Sequence, residues 1–245
     1  MKPFFVISSF NSDLEWLYLY DFPFVIYDKT WNGAQWDNHV IPPSNLRIKH
    51  PDFNIINSIP QGYNIYCYLR YICDNYYSLP SYIAFIKGNL IGRHVSKSYF
   101  DSHISNNYFT GFDDLSMHDL SFAKPKRFSR LLDRSYSYIS SDGGFLERNN
   151  SWYLRSGRHP TVYHHSYDSL MHFIFSNYIH TPFIRFSPGA NFIVPKQLIL
   201  RYRLPLYEYL MEIVSHHQLS GESHILERAL WSIWNSNFES AKFHS

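Results

Sequence analysis

Residues 63–89 read YNIYCYLRYICDNYYSLPSYIAFIKGN, and the fold turns on this stretch. Ile65, Tyr68, Leu69, Ile72 and Tyr76 recur at helical spacing and make one apolar helix face. Ser78-Leu79-Pro80 then stops the helix, because proline lacks the N–H a helix needs and drives the preceding residue toward extended geometry. Residues 82–86 form a short apolar run between turn signals, the pattern of a buried strand. Lys87-Gly88-Asn89 ends it. A helix feeding a buried strand with a polar carboxyl end fits an open α/β sheet, where ligands bind just beyond the carboxyl ends of the strands. The active site is therefore expected at residues 87–94.

On the amino-terminal side, residues 3–10 read as a buried first strand. Asn11-Ser12-Asp13 follows, with N-cap chemistry ahead of Leu14-Glu15-Trp16-Leu17, so a helix start and an anion site at its N-terminus are expected there. No glycine fingerprint of a Walker loop or a dinucleotide motif is present. Residues 22–27 read as a second strand, ended by Asp28-Lys29-Thr30. An acid in that place meets a ribose hydroxyl in nucleotide-binding sheets, and is equally well a solvated turn residue. Residues 31–60 carry no clean period and read as a long loop with short elements, broken at Pro42-Pro43. Residues 90–145 are weakly patterned. They hold Asp113-Asp114, Met117, His118, the basic run Lys124-Pro125-Lys126-Arg127 and a turn at Ser141-Asp142-Gly143-Gly144.

The chain of 245 residues is long enough for one large core, and 45% hydrophobic with 17% charged residues is a globular composition. A net charge of +2 gives no electrostatic footprint for nucleic acid. The 21 Tyr and 20 Phe are not read as a stacking surface. Cys67 and Cys73 sit about 9 Å apart along the expected helix, too far to pair within it, and read as reduced thiols of a reducing compartment. The apolar run at 4–7 is too short for a signal-peptide core or a membrane span, so a cytoplasmic protein is expected, with any membrane attachment made through partners.

His159, His164, His165, His172 and His180 crowd one region, but no pair there has His-x-x-x-His spacing, so partly exposed histidines are favoured over a zinc-dependent hydrolase. Residues 183–195 contain a glycine turn leading into a strand at 191–194, with a helix starting at 196 and an amphipathic one at 206–214. Residues 222–234 make a buried final helix after Ser220-Gly221, with Glu227, Leu230, Trp231 and Trp234 on one face. A carboxylate beside two tryptophans is either ion-paired to a basic residue or a general base with a raised pKa.

In chain order, VISSFNSDLEWL from Val6, VIYDK from Val25, NIYCYLRYICDNYYSLPSYIAFIKGN from Asn64, GANFIVPKQLILRYRLPLYEYL from Gly189 and LERALWSIWN from Leu226 form an ordered set. The set resembles a family of uncharacterised proteins of similar length whose shape is similar to type-A, or GT-A, glycosyltransferases. Pro205-Leu206-Tyr207 is set against the family's aromatic Pro-x-x-Tyr helix, with its tyrosine one place early, and the match is patchy between Leu90 and Thr181. The resemblance implies an α/β fold, a single GT-A-like domain over residues 1–245 with a mixed central sheet flanked by helices. Residues 1–90 would be its nucleotide-binding half, 91–182 an insert or acceptor region, and 183–245 the acceptor-side strand and C-terminal helices.

The implied function is transfer of a sugar from a nucleotide-sugar donor to a glycan or other hydroxyl acceptor. Ser8, Asn11 and Asp28 would lie at the nucleotide, and Lys87, Asn89, Arg93 and His94 at the diphosphate and sugar. Gly189, Asn191 and Trp231 would face the acceptor, and Glu227 would be the base. The chain departs from the family where type-A enzymes carry Asp-x-Asp to hold a divalent metal: here stands Lys87-Gly88-Asn89. Either Lys87, Arg93 and His94 replace the metal, or Asp113 and Asp114 supply its site, or catalysis is lost and a silent nucleotide- or sugar-binding protein remains.

Overall fold

A computed structural model of the chain describes residues 2–36, 39–117, 138–139, 144–155 and 157–236. His118, the basic run 124–127 and residues 141–143 of the expected turn lie outside the described residues. The architecture is mixed α/β, with a six-stranded mixed sheet at its centre. The sheet's strands are β1 (Phe4–Ser9), β2 (Phe24–Asp28), β5 (Ile55–Asn57), β6 (Tyr82–Lys87), β7 (Thr110–Gly111) and β11 (Phe192–Pro195), in the order β5-β2-β1-β6-β11-β7. The first four run parallel, while β11 is antiparallel to both β6 and β7. The sheet therefore takes strands from all three stretches into which the sequence divides.

Residues alternate between two apolar layers, as the period-two geometry of a strand requires. Val6, Val25, Tyr27, Ile83, Phe85, Phe192 and Val194 face one layer; Phe5, Ile7, Ile26, Ala84, Ile86 and Ile193 face the other. Burial on both faces explains why these strands read as unbroken apolar runs. The first layer is closed by α2 (Ile65–Asn75), α4 (Tyr167–Ile174), α5 (Lys196–Ile199), α6 (Leu204–Ser215) and α7 (Gly221–Asn235). The second is closed by the 3-10 helix Glu15–Leu19, α1 (Leu46–Lys49) and α3 (Lys97–His103). A hairpin of β3 (Ala34–Trp36) and β4 (His39–Ile41) and a small antiparallel sheet of β8 (Tyr138–Ile139), β9 (Phe145–Arg148) and β10 (Phe183–Phe186) complete the fold.

The α2–β6 reading holds to within a residue or two. One other expectation is corrected. The segment after Asn11-Ser12-Asp13 is a five-residue 3-10 helix rather than an α-helix, without a side-chain cap at Leu14. Asp13 instead accepts from the Glu15 N–H at 3.0 Å, a local turn that competes with helix initiation. Residues 55–57, within the stretch expected to be a long loop with short elements, are one such element, the edge strand β5. Three residues are too few to show a period, and only pairing with β2 defines them.

Candidate functional site

The connection from β1 leads to β2 on one side, and β6 is then laid down on the other side of β1. The carboxyl ends of β1 and β6 thus flank the point where strand order reverses, the usual ligand crevice of an open α/β sheet. A cleft of about 600 Å³ opens there, a size suited to a small-molecule ligand. Ser8 enters it from β1, Lys87 from β6, and Asn89, Arg93 and His94 from the turn after β6. Gly189 enters from the turn before β11, and Glu227 from α7. Seven of the sequence-expected residues are therefore brought together around one space.

Glycine geometry shapes this floor. Gly189 has φ +77°, the left-handed region glycine tolerates, and an added Cβ would lie 3.0 Å from Lys87 Nζ and 2.8 Å from Asn191 Nδ2. At Gly88 a Cβ would meet Ser12 Cβ at 2.8 Å, so the absence of a side chain lets the 11–14 segment close over the end of β6. Trp16 Nε1 donates to Gly88 O at 2.9 Å and holds that closure.

The remaining expected residues sit elsewhere. Asn11 is exposed in a left-handed turn at φ +51°, and its neighbours Phe10 and Ser12 line the cleft instead. Asp28 is buried and turned into its own loop, accepting from Thr30 N at 2.9 Å, from Thr30 Oγ1 at 3.0 Å and from Ser44 Oγ; it does not line the cleft, so the ribose role is not supported. Asn191 is fully buried below the floor: its Oδ1 accepts from Lys87 N at 2.9 Å and its Nδ2 donates to Pro188 O at 2.8 Å, so it shapes the Gly189 turn rather than contacting an acceptor.

Trp231 is a packing residue. Its ring meets Phe109 edge-on at 5.1 Å and lies 4.4 Å from the Arg185 guanidinium, with Gly111 and Gly144 against it. Asp114 is a structural anion: it accepts from Ser96 N at 2.9 Å and from Ser96 Oγ at the N-terminus of α3, and from Ser116. Burial opposes its ionisation, but these bonds outweigh it and hold its carboxyl down to about 2. Neither Asp113 nor Asp114 lines the cleft. Among the described residues, no group of three or more His, Cys, Asp or Glu side chains converges as a metal-ligand set. The histidines of 159–180 have separate surroundings: His164 meets Tyr209 Oη at 2.6 Å, His165 meets Thr161 at 2.6 Å, and His180 meets Asp168 at 2.9 Å.

Sequence reasoning missed Lys29, Tyr63, Asn64, Ser223 and His224, all of which line the cleft. Asn64 precedes α2, and its Nδ2 donates to Gly189 O at 2.7 Å, so the positive end of α2 opens into the cleft. The lone signal for Lys29 was its place next to Asp28. Its ammonium reaches back to Gln61 O at 2.6 Å and to Tyr63 O, and burial pulls its pKa down.

The electrostatics correct one further expectation. Burial pushes the Glu227 carboxyl up, but His224, Arg228 and Lys87 outweigh it and hold it well below the ordinary range. Glu227 accepts from the Gly189 N–H and lies 3.4 Å from Arg228 Nη1. The raised-pKa base is thus replaced by a firmly ionised carboxylate. Burial in turn lowers the Lys87 ammonium; the charge of Glu227 opposes this and that of Arg93 adds to it. No protein-family model matches the chain, and it matches no curated protein and no solved structure. No described helix is long and apolar enough to cross a membrane.

Proposed function

We propose that the chain is a GT-A-like glycosyltransferase that binds a nucleotide-sugar in this cleft and uses side-chain cations where related enzymes use a metal. One observation carries the reading: three cationic side chains, Lys29, Lys87 and Arg93, line the cleft at the switch point of the sheet together with one carboxylate, Glu227. The excess of two positive charges matches a diphosphate diester, and the N-terminal end of α2, which lines the cleft at Asn64 and Ile65, adds a dipole of the same sign. The mixed sheet, with an antiparallel strand beside β6, is consistent with a GT-A-like arrangement. Ser8 sits where a nucleotide would enter. Lys87, Arg93 and His94 would stand where charge develops on a departing diphosphate, which cations in that place would stabilise.

The test is thermal stabilisation by UDP-, GDP- and CMP-sugars, each with and without Mn²⁺. A donor at a hundred times its Kd adds roughly 2.7 kcal/mol, a shift of several degrees. The expected result is a shift with one nucleotide that does not need Mn²⁺ and is lost in Lys87→Met. No shift with any nucleotide-sugar removes the reading, whereas a shift seen only with Mn²⁺ restores a metal requirement.

A further inference from the structure

Three cleft-lining side chains form a line. Glu227 Oε2 lies 3.6 Å from His224 Nδ1, and His224 Nε2 lies 3.1 Å from Tyr63 Oη. An ionised carboxylate only accepts, so the proton of a neutral His224 belongs on Nδ1, facing Glu227. That tautomer leaves a lone pair on Nε2, where it takes the Tyr63 O–H. The Glu227–His224 separation is longer than a formed hydrogen bond, as is common in catalytic pairs before substrate binds. His224 is half-buried, and its neighbours come from three segments. Tyr63 comes from the turn before α2, His159 (ring centroid 4.2 Å away) and Tyr153 (6.1 Å) from the 152–160 segment, and Glu227 and Arg228 from α7 itself.

We propose that His224 is the general base of this site and that Glu227 positions it. The inference rests on the glycosyltransferase reading above. The Tyr63 hydroxyl marks where an acceptor hydroxyl would stand on Nε2. In the transfer step the acceptor O–H proton passes to Nε2 and the acceptor oxygen bonds to the anomeric carbon. The bond from that carbon to the diphosphate oxygen breaks, and the nucleoside diphosphate leaves with the electron pair. The imidazolium that forms is stabilised by Glu227, which is why a carboxylate that is itself a poor base is held ionised here. Lys87 and Arg93, which line the same cleft, would stand beside the leaving group.

The experiment measures nucleoside diphosphate release from UDP-glucose and GDP-mannose with water as acceptor, alongside the melting shift each donor produces. A positioned general base is worth roughly 10²–10⁴-fold. His224→Gln is expected to lose that much turnover and keep the donor-induced melting shift. Glu227→Gln is expected to lose less, roughly tenfold. Nitrogen-15 NMR of the unliganded protein reads the tautomer without any ligand: His224 should carry its proton on Nδ1 in the wild type and lose that preference in Glu227→Gln. Turnover within threefold of wild type in His224→Gln, with the melting shift intact, overturns this inference and leaves the donor site standing. A proton found on Nε2 overturns it as well. Absence of any donor shift in the wild type takes down the glycosyltransferase reading, and this inference with it.

Discussion

Arg228→Met is expected to cost far more than an average substitution, and the structure shows why. The guanidinium is 6% exposed and the Glu147 carboxylate 3% exposed. Two parallel bonds join them, Nε to Oε1 and Nη2 to Oε2, both 3.0 Å. The guanidinium carbon also lies over the Tyr153 ring at 3.8 Å and over the Phe186 ring at 4.7 Å. Methionine fills much of that slot but donates nothing, and Glu147 is left buried with the Trp152 Nε1–H at 2.8 Å. Two charge-assisted bonds at roughly 1.5–3 kcal/mol each agree with the roughly 3–5 kcal/mol typical of breaking a buried pair. For a chain of this length that lowers the Tm by roughly 6–20 °C. Urea and thermal unfolding at pH 7 measure it. The partner test is Glu147→Leu combined with Arg228→Met, which removes both charges and is expected to recover more than half of the loss. A single-variant cost under about 1 kcal/mol would refute the claim that this pair clamps the β9–β10 sheet to the helix that carries the site.

Glu222 is fully buried at the start of α7 and accepts from the N–H groups of Val162 and Tyr163 at 2.7 and 2.8 Å, and from His216 at 2.8 Å. Burial pushes its carboxyl up, but the His216 bond and the two N–H bonds outweigh it and hold the folded pKa below the ordinary 4.5. Its stabilisation is therefore complete above about pH 4.5 and is lost as the pH falls through the folded value. Glu222→Gln should cost roughly 1.5–3 kcal/mol at neutral pH and flatten the acid limb of a stability-versus-pH curve. Gly189→Ala forces a left-handed alanine and pushes its Cβ against Lys87 Nζ. The expected loss is roughly 1–2 kcal/mol of stability, with a weaker donor-induced melting shift.

Much of the frame was legible in residues 63–89 because helix and strand periods are local properties. The apolar face of α2, the Pro80 break and the run into β6 each follow from neighbours a few positions apart. The turn after β6 was legible for the same reason, since the carboxyl end of a strand is a place in the sequence as well as in space. What misled was residue type read without partners. Asp28 and Asp114 are acids whose acceptor capacity is spent on nearby backbone and serine groups. Trp231, which the resemblance set at the acceptor, is packed among Phe109, Phe192 and Arg185.

By itself, then, the sequence determined an α/β chain with a buried strand ending at Lys87, and a final apolar helix carrying a carboxylate. Tertiary structure alone decided what faces what. His224 meets Tyr63 across 161 positions, and Asn191 holds the Lys87 backbone across 104. It also decided the ionisation of Glu227. A lone buried carboxylate favours its proton, while one ringed by Arg228, Lys87 and His224 gives it up, and only the fold brings Lys87 to that ring.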